Sequence, residues 1–186
     1  VLEHGEYSDY HHWFDINPNH PAPDLQGKLM VPFLGDELEN CIEKGEIKIV
    51  FTGERYFVEV YESRYPVSAG VRAFLESMEI QGEELAAYIN NDKEKLKALL
   101  LEQDYTLTHW KRTMHEINYR RFFTVNSLIC LRMEEEVVFI EYHQFLQTLA
   151  EYGLLQGLRI DHIDGLYDPT QYIAWLRNAF GDNMYI

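Results

Sequence analysis

Two periodicities divide this chain. Over residues 46–51, Ile47, Ile49 and Phe51 alternate with polar neighbours, and after Thr52-Gly53-Glu54 the alternation resumes with Tyr56, Val58 and Val60 on one side. Alternation on both sides of a Gly-containing turn predicts a β-hairpin over about 46–62, and Pro66 ends any continuation. Ahead of it, residues 1–25 are polar, aromatic and rich in His and Pro without a sustained period, and read as an irregular surface segment. Residues 28–34 form a short extended run closed by Gly35, followed by a short helix with Asp36 as N-cap, Leu38 and Ile42 inside and Gly45 as its stop.

From Ser68 the period becomes helical. Val71, Phe74 and Leu75 share a face, as do Leu85, Ala86 and Ile89, and then Leu96, Leu99 and Leu100, predicting short helices over about 70–102 with solvated acidic faces. Residues 109–123 are dense in aromatics and arginines, and 126–133 read as a loop or short helix. A longer helix is predicted over 134–152, with Val138, Phe145, Leu146 and Leu149 inward and Gly153 as its cap. Leu154 and Leu155 lead into a predicted strand at 157–161. Asp168-Pro169 then caps a helix over 169–180 with Tyr172, Leu176 and Phe180 on one face, and a further strand starts at Met184.

Helix, strand, helix, strand over 134–186 is the order of a βαβ crossover with its preceding helix, and the hairpin region does not belong to that repeat. The expected fold class is therefore α/β: part of a (β/α)8 barrel, strand 4 with its flanking helices, carrying an inserted α+β excursion. The division places the excursion at 1–106 and the barrel segment at 107–186. Hydrophobic residues make up 46% of the 186 and charged residues 25%, as in an ordinary globular chain. The formal net charge of -15 opposes nucleic acid and anionic membrane surfaces as partners. Tyrosines number 13 and tryptophans 3, a supply that suits sugar stacking as well as a core. Cys41 and Cys130 fit neither a metal spacing nor a disulfide framework, which points to a reducing, cytoplasmic setting. Neither a membrane helix nor a signal peptide is visible. An opening on Val1-Leu2-Glu3-His4 and a close on Asn183-Met184-Tyr185-Ile186 suggest an internal piece of a longer protein. A barrel slice exposes strand edges and apolar helix faces, so self-association of the isolated piece is expected.

The chemistry gathers in Arg159, Asp161, His162 and Asp164, within six positions and just before Gly165. Charges where a buried strand ends are where parallel α/β folds place active sites. Two carboxylates with an arginine suit glycosyl transfer, in which one carboxylate attacks and stays ionised because a cation lies near it. Arg159 lies two residues before Asp161, so on a strand both point to one side; Asp161 fits the nucleophile and Arg159 its ion-pair partner. His162 points to the other face unless the strand has already turned. Asp164 either binds sugar hydroxyls or caps the turn. A metal site built on Asp161, His162 and Asp164 is disfavoured, because neighbours on a strand diverge and no second ligand cluster completes a shell. His11, His12, His109, His115 and His143 read as surface or satisfied core residues. Neither a nucleophile elbow nor a Gly-rich phosphate loop occurs.

Leu158-Arg159-Ile160-Asp161-His162-Ile163-Asp164-Gly165-Leu166-Tyr167-Asp168-Pro169 resembles the second signature motif of the α-amylase superfamily (glycoside hydrolase family 13), in the form found in the maltooligosyltrehalose synthase family. Ile117-Asn118-Tyr119-Arg120-Arg121-Phe122-Phe123-Thr124-Val125-Asn126 resembles that family's Tyr-Arg-Arg-Phe-Phe segment, and shorter likenesses fall at Trp13-Phe14-Asp15-Ile16, Val31-Pro32-Phe33-Leu34-Gly35 and Tyr105-Thr106-Leu107. The resemblance implies an intramolecular transglycosylation. The reducing-end α-1,4 linkage of a maltooligosaccharide becomes an α,α-1,1 linkage, with maltooligosaccharide as substrate and no cofactor. It makes Asp161 the catalytic nucleophile, Arg159, His162 and Asp164 substrate-binding, and Tyr119, Arg120 and Arg121 candidates for lining the pocket that retains the freed glucose. Asn17-Pro18-Asn19-His20 imitates the end of the superfamily's first motif but follows Trp13-Phe14-Asp15-Ile16 with no apolar strand leading in, and is read as coincidence. The family uses three catalytic carboxylates and this stretch supplies one, the general acid being expected beyond Ile186; the piece alone is therefore expected to be inactive. The alternatives are a fragment of an α-amylase-type hydrolase and a non-catalytic glucan-binding or structural module.

Overall fold

The computed structural model describes residues 8–186; the first seven residues of the segment expected to be irregular lie outside the described residues. Two compact units emerge, one built mainly from residues 16–120 and the other from 12–15 with 121–186. The fold is mixed α/β, with one parallel and one antiparallel sheet.

In the first unit, β1 (Leu29–Leu34) and β5 (Tyr105–His109) pair in parallel, with Leu29 opposite Tyr105 and Val31 opposite Leu107. The ladder breaks between Val31 and Leu34, where Pro32 has no N–H to offer. Met30, Val31 and Leu34 are fully buried. The expected hairpin is present as β2 (Ile47–Thr52) and β3 (Arg55–Val60), joined by Gly53 and Glu54 with φ of 56° and 66°. Positive φ at both central residues is what a two-residue hairpin turn with native twist requires.

A third strand, β4 (Ser63–Pro66), extends this sheet where the sequence reading ended it. The turn between β3 and β4 is Tyr61-Glu62, with Tyr61 at φ 53°. It lacks the Gly or Asn that advertises such a turn, and tertiary bonds hold it instead. The Tyr61 hydroxyl accepts from the Gly35 N–H at 3.0 Å and donates to Glu46 at 3.3 Å. Pro66 sits at the strand's end on the outer edge, where a missing N–H costs no ladder bond.

The helices α1 (Leu38–Glu43), α2 (Ala69–Glu76), α3 (Gly82–Asn90) and α4 (Lys93–Leu101) fall where helical spacing places them. Asn90 closes α3 on the sheet edge, accepting from the Ile49 N–H at 2.8 Å and donating to the Ile49 carbonyl at 2.7 Å. Buried Gln103 does the same service between elements, accepting from Ser68 N–H and donating to the Leu99 carbonyl. Asp36 accepts from the Glu37 N–H at the start of α1, and Lys44 and Asn40 beside it hold its carboxyl well below the ordinary range.

The second unit packs α5 (Glu136–Glu151) and α6 (Pro169–Phe180) around Met133, Val138, Phe139, Leu158, Tyr172 and Leu176. Asp168 caps α6 through the Gln171 N–H at 2.9 Å, as expected. The inward stripe of α5 carries Val138, Phe139 and His143, with Leu146 half-buried against it, whereas Phe145 is 69% exposed. Phe145 is thus a correction to the sequence reading: Phe139 and His143, four apart, fill the inward face and leave Phe145 outside it. The stretch 126–133 is a loop, with isolated antiparallel bridges from Arg121 to Ile129 and from Phe14 to Leu131. At 157–161 the structure has one parallel bridge, Gly157 to Tyr185, reinforced by the Leu158 N–H to the Tyr185 carbonyl at 2.7 Å. A Cβ at Gly157 would lie 3.2 Å from that carbonyl oxygen, so a side chain there would have to push Tyr185 back by a few tenths of an ångström.

His143 is buried against Phe139, Tyr142, Tyr172 and Phe180. With the Nδ1–H tautomer it donates to the Phe139 carbonyl at 2.8 Å, and Nε2 accepts from the Tyr172 hydroxyl at 3.1 Å. Burial lowers its pKa and pushes that of Tyr172 up to about 12. Because the folded state resists protonation, the unfolded chain takes up the proton first on acidification, near its ordinary pKa of about 6.5. Stability of this unit is therefore expected to fall as pH drops below that value. Melting temperature against pH should show the decline in the wild type and a flatter profile in His143→Gln, which keeps polar partners without the titration.

Candidate active site

Apolar anchors set the conformation of the Arg159–Asp164 stretch. Leu158 is buried, and Ile160, Ile163 and Leu166 pack partly buried against the core of the second unit. The residues between them, Arg159, Asp161, His162 and Asp164, are left exposed. The chain does turn at His162, which adopts a left-handed conformation with φ 56° and ψ 38° and leads into a single 3-10 turn, Ile163–Gly165. That turn is closed by the Gly165 N–H to the His162 carbonyl and the Leu166 N–H to the Ile163 carbonyl. The Asp164 carboxylate takes no part in those bonds.

Asp161 has a side chain 71% exposed, and among the described residues both of its polar contacts come from its neighbour. Its Oδ1 accepts from the His162 N–H at 3.1 Å, and its Oδ2 lies 3.7 Å from His162 Nε2. Arg159 forms no ion pair with Asp161 among the described residues.

The loop after Arg121 reaches this stretch. Arg121 bridges to Ile129 and its guanidinium bonds Asn126, while the Phe122 N–H donates to the Leu128 carbonyl at 2.9 Å. The tight loop forces Phe123 to φ 50°, a second left-handed residue that is not glycine. Phe122 and Phe123 meet edge to face at 4.5 Å, and their centroids lie 5.1 and 5.5 Å from the His162 ring at near-perpendicular angles. A left-handed bulky residue costs about 1–2 kcal/mol, and one aromatic edge contact returns about 0.5–1.5. Two such contacts, about 1–3 kcal/mol together, match that cost.

Two of the residues expected to line a pocket lie in the first unit. Tyr119 is buried and bridged to Ile16, and Arg120 is half-buried. Arg121, also half-buried, opens the second unit's loop. Phe122 and Phe123 were not among the expected site residues, although they stand in the same motif as the three that were. Asn17–His20 form an irregular turn in which the Asn17 side chain accepts from the Asn19 N–H at 3.0 Å. No group of three or more His, Cys, Asp or Glu gathers in a metal-binding arrangement among the described residues, and no described helix is long and apolar enough to cross a membrane.

Solved proteins similar to this chain include a glycosyltrehalose synthase and maltooligosyl trehalose synthases. The DSM5389 glycosyltrehalose synthase matches 98% of this chain at 36% identity with a TM-score of 0.72, and the chain covers 22% of it. A maltooligosyl trehalose synthase and that of Arthrobacter ramosus each match 97% of the chain, at 32% and 29% identity and TM-scores of 0.63 and 0.67; the chain covers 20% of each. In sequence, the chain is homologous over 84 residues, at 42% identity, to a Mycobacterium tuberculosis protein described as a maltooligosyl trehalose synthase. Those residues are 45% of the chain and 11% of the relative. The chain thus spans about a tenth to a fifth of the proteins it matches. No family model matches the sequence.

Proposed function

We propose that this chain is a stretch of a maltooligosyltrehalose synthase, a cytoplasmic isomerase of the α-amylase superfamily, and that its second unit belongs to a (β/α)8 barrel. The observation that carries the reading is the likeness to the DSM5389 glycosyltrehalose synthase along nearly the whole chain. The contact of Phe122 and Phe123 with the Asp161-His162 stretch supports it, since two distant motifs meet there.

In this reading an Asp161 carboxylate oxygen attacks the anomeric carbon of the penultimate glucose of a maltooligosaccharide. The bond to O4 of the reducing glucose breaks, and O4 takes a proton from a carboxylic acid supplied outside this stretch. The freed glucose then turns and its anomeric hydroxyl attacks the same carbon. The aspartyl ester breaks, the proton returns to the acid, and an α,α-1,1 linkage results. Exposed Asp164 and Arg159 bind sugar hydroxyls, and Arg121, half-buried on the loop whose phenylalanines meet His162, helps to retain the glucose against water.

The test is incubation of the full-length protein with maltopentaose. Loss of reducing ends without release of glucose supports a synthase, whereas release of reducing sugars supports a hydrolase and overturns the reading. The 186-residue chain alone is expected to yield no trehalose-ended product, because it contributes one of the three carboxylates. Product from the purified chain, detected by chromatography, would refute that division of labour.

A further inference from the structure

We propose that Phe122 and Phe123 are positioning residues for the nucleophile, acting through His162. This rests on the reading of Asp161 as nucleophile. The carboxylate projects into solvent; its hydrogen bond comes from the His162 backbone N–H at 3.1 Å, and the His162 imidazole is the side chain beside it, with Nε2 3.7 Å from Oδ2. Its direction therefore follows the conformation of His162. That residue is left-handed, a conformation uncommon outside glycine although histidine adopts it more readily than most side chains, so the contacts around it decide whether it is held there. The phenyl rings meet its imidazole from one short loop, itself fixed by the Arg121–Ile129 bridge and by the Asn126 contact of Arg121. Loop, imidazole and carboxylate form one chain of contacts, so a change in the rings is transmitted to the attacking oxygen without the rings touching sugar.

The experiment uses the full-length protein, with trehalose-ended product from maltopentaose as readout. Phe122→Leu/Phe123→Leu is expected to lower kcat by about 10–100-fold, the cost of a misplaced reacting group, with KM within roughly twofold. In a His162→Ala background the same pair is expected to change kcat by less than roughly twofold, since the route to Asp161 is already cut. Phe122→Tyr/Phe123→Tyr keeps the edge contacts and is expected to retain kcat within roughly threefold. A rise in KM with kcat intact would mean that the rings touch substrate, and would overturn the proposal. So would an undiminished effect in the His162→Ala background, or a Tyr pair as slow as the Leu pair. Where the Leu pair fails to fold by circular dichroism, Phe122→Met/Phe123→Met replaces it in the cycle. Failure of the underlying reading looks different: the unmodified protein makes no trehalose-ended product, or Asp161→Asn retains full activity.

Discussion

Asp161→Asn in the full-length protein is expected to lower formation of trehalose-ended product by at least about a thousandfold, roughly 4 kcal/mol of transition-state stabilisation. The substitution keeps size, shape and one acceptor oxygen while removing the charge that would form the glycosyl ester. The side chain is 71% exposed and its backbone partner at His162 can still donate to the amide oxygen, so the fold has no reason to change. Ground-state binding is expected to survive, because the reacting carboxylate contributes mainly where positive charge develops at the anomeric carbon. Calorimetric titration with maltopentaose should give a Kd within roughly threefold of the unmodified protein while turnover disappears. Retained turnover would remove Asp161 as nucleophile, whatever the likeness of its surroundings to the solved synthases.

That prediction was available from sequence in its residue but not in its geometry. The hairpin, the helices and the Asp168 cap were legible because each is written in neighbouring residues: alternation, helical spacing, a cap within three positions. The parallel pairing of β1 with β5 was not, because its partners lie some seventy residues apart and Tyr105–His109 is too short to declare itself. The third strand was missed because Tyr61 takes a turn conformation that only its bonds to Gly35 and Glu46 justify. At the candidate site, alternation along a strand paired Arg159 with Asp161. The structure gives the stretch a single bridge at Gly157 and a left-handed turn at His162, and the partner of Asp161 is His162. The aromatic contact on His162 joins positions about forty apart. Only the shared motif hinted at it.

Asn118 shows how such a motif mixes roles, and Asn118→Ala is expected to destabilise the first unit by about 2–4 kcal/mol. The residue is 1% exposed, one position before Tyr119 in the segment read as pocket lining. Its side chain accepts from the Met30 N–H at 3.0 Å and donates to the Lys28 carbonyl, while its own carbonyl accepts from Asn17 at 2.6 Å. It therefore occupies the place of a strand residue at the free edge of β1, beside a fully buried Met30. Truncation leaves a buried donor and an acceptor unpaired, each costing about 1–3 kcal/mol, where a whole domain has about 5–15 to lose. Asn118→Asp keeps the acceptor but faces a carbonyl with a buried charge, and is expected to do no better. Urea unfolding of the chain followed by tryptophan fluorescence measures both, with unchanged slope and a lowered midpoint expected. A loss under roughly 0.5 kcal/mol, the range of ordinary surface substitutions, would mean that water satisfies these groups and that the asparagine is kept for another purpose.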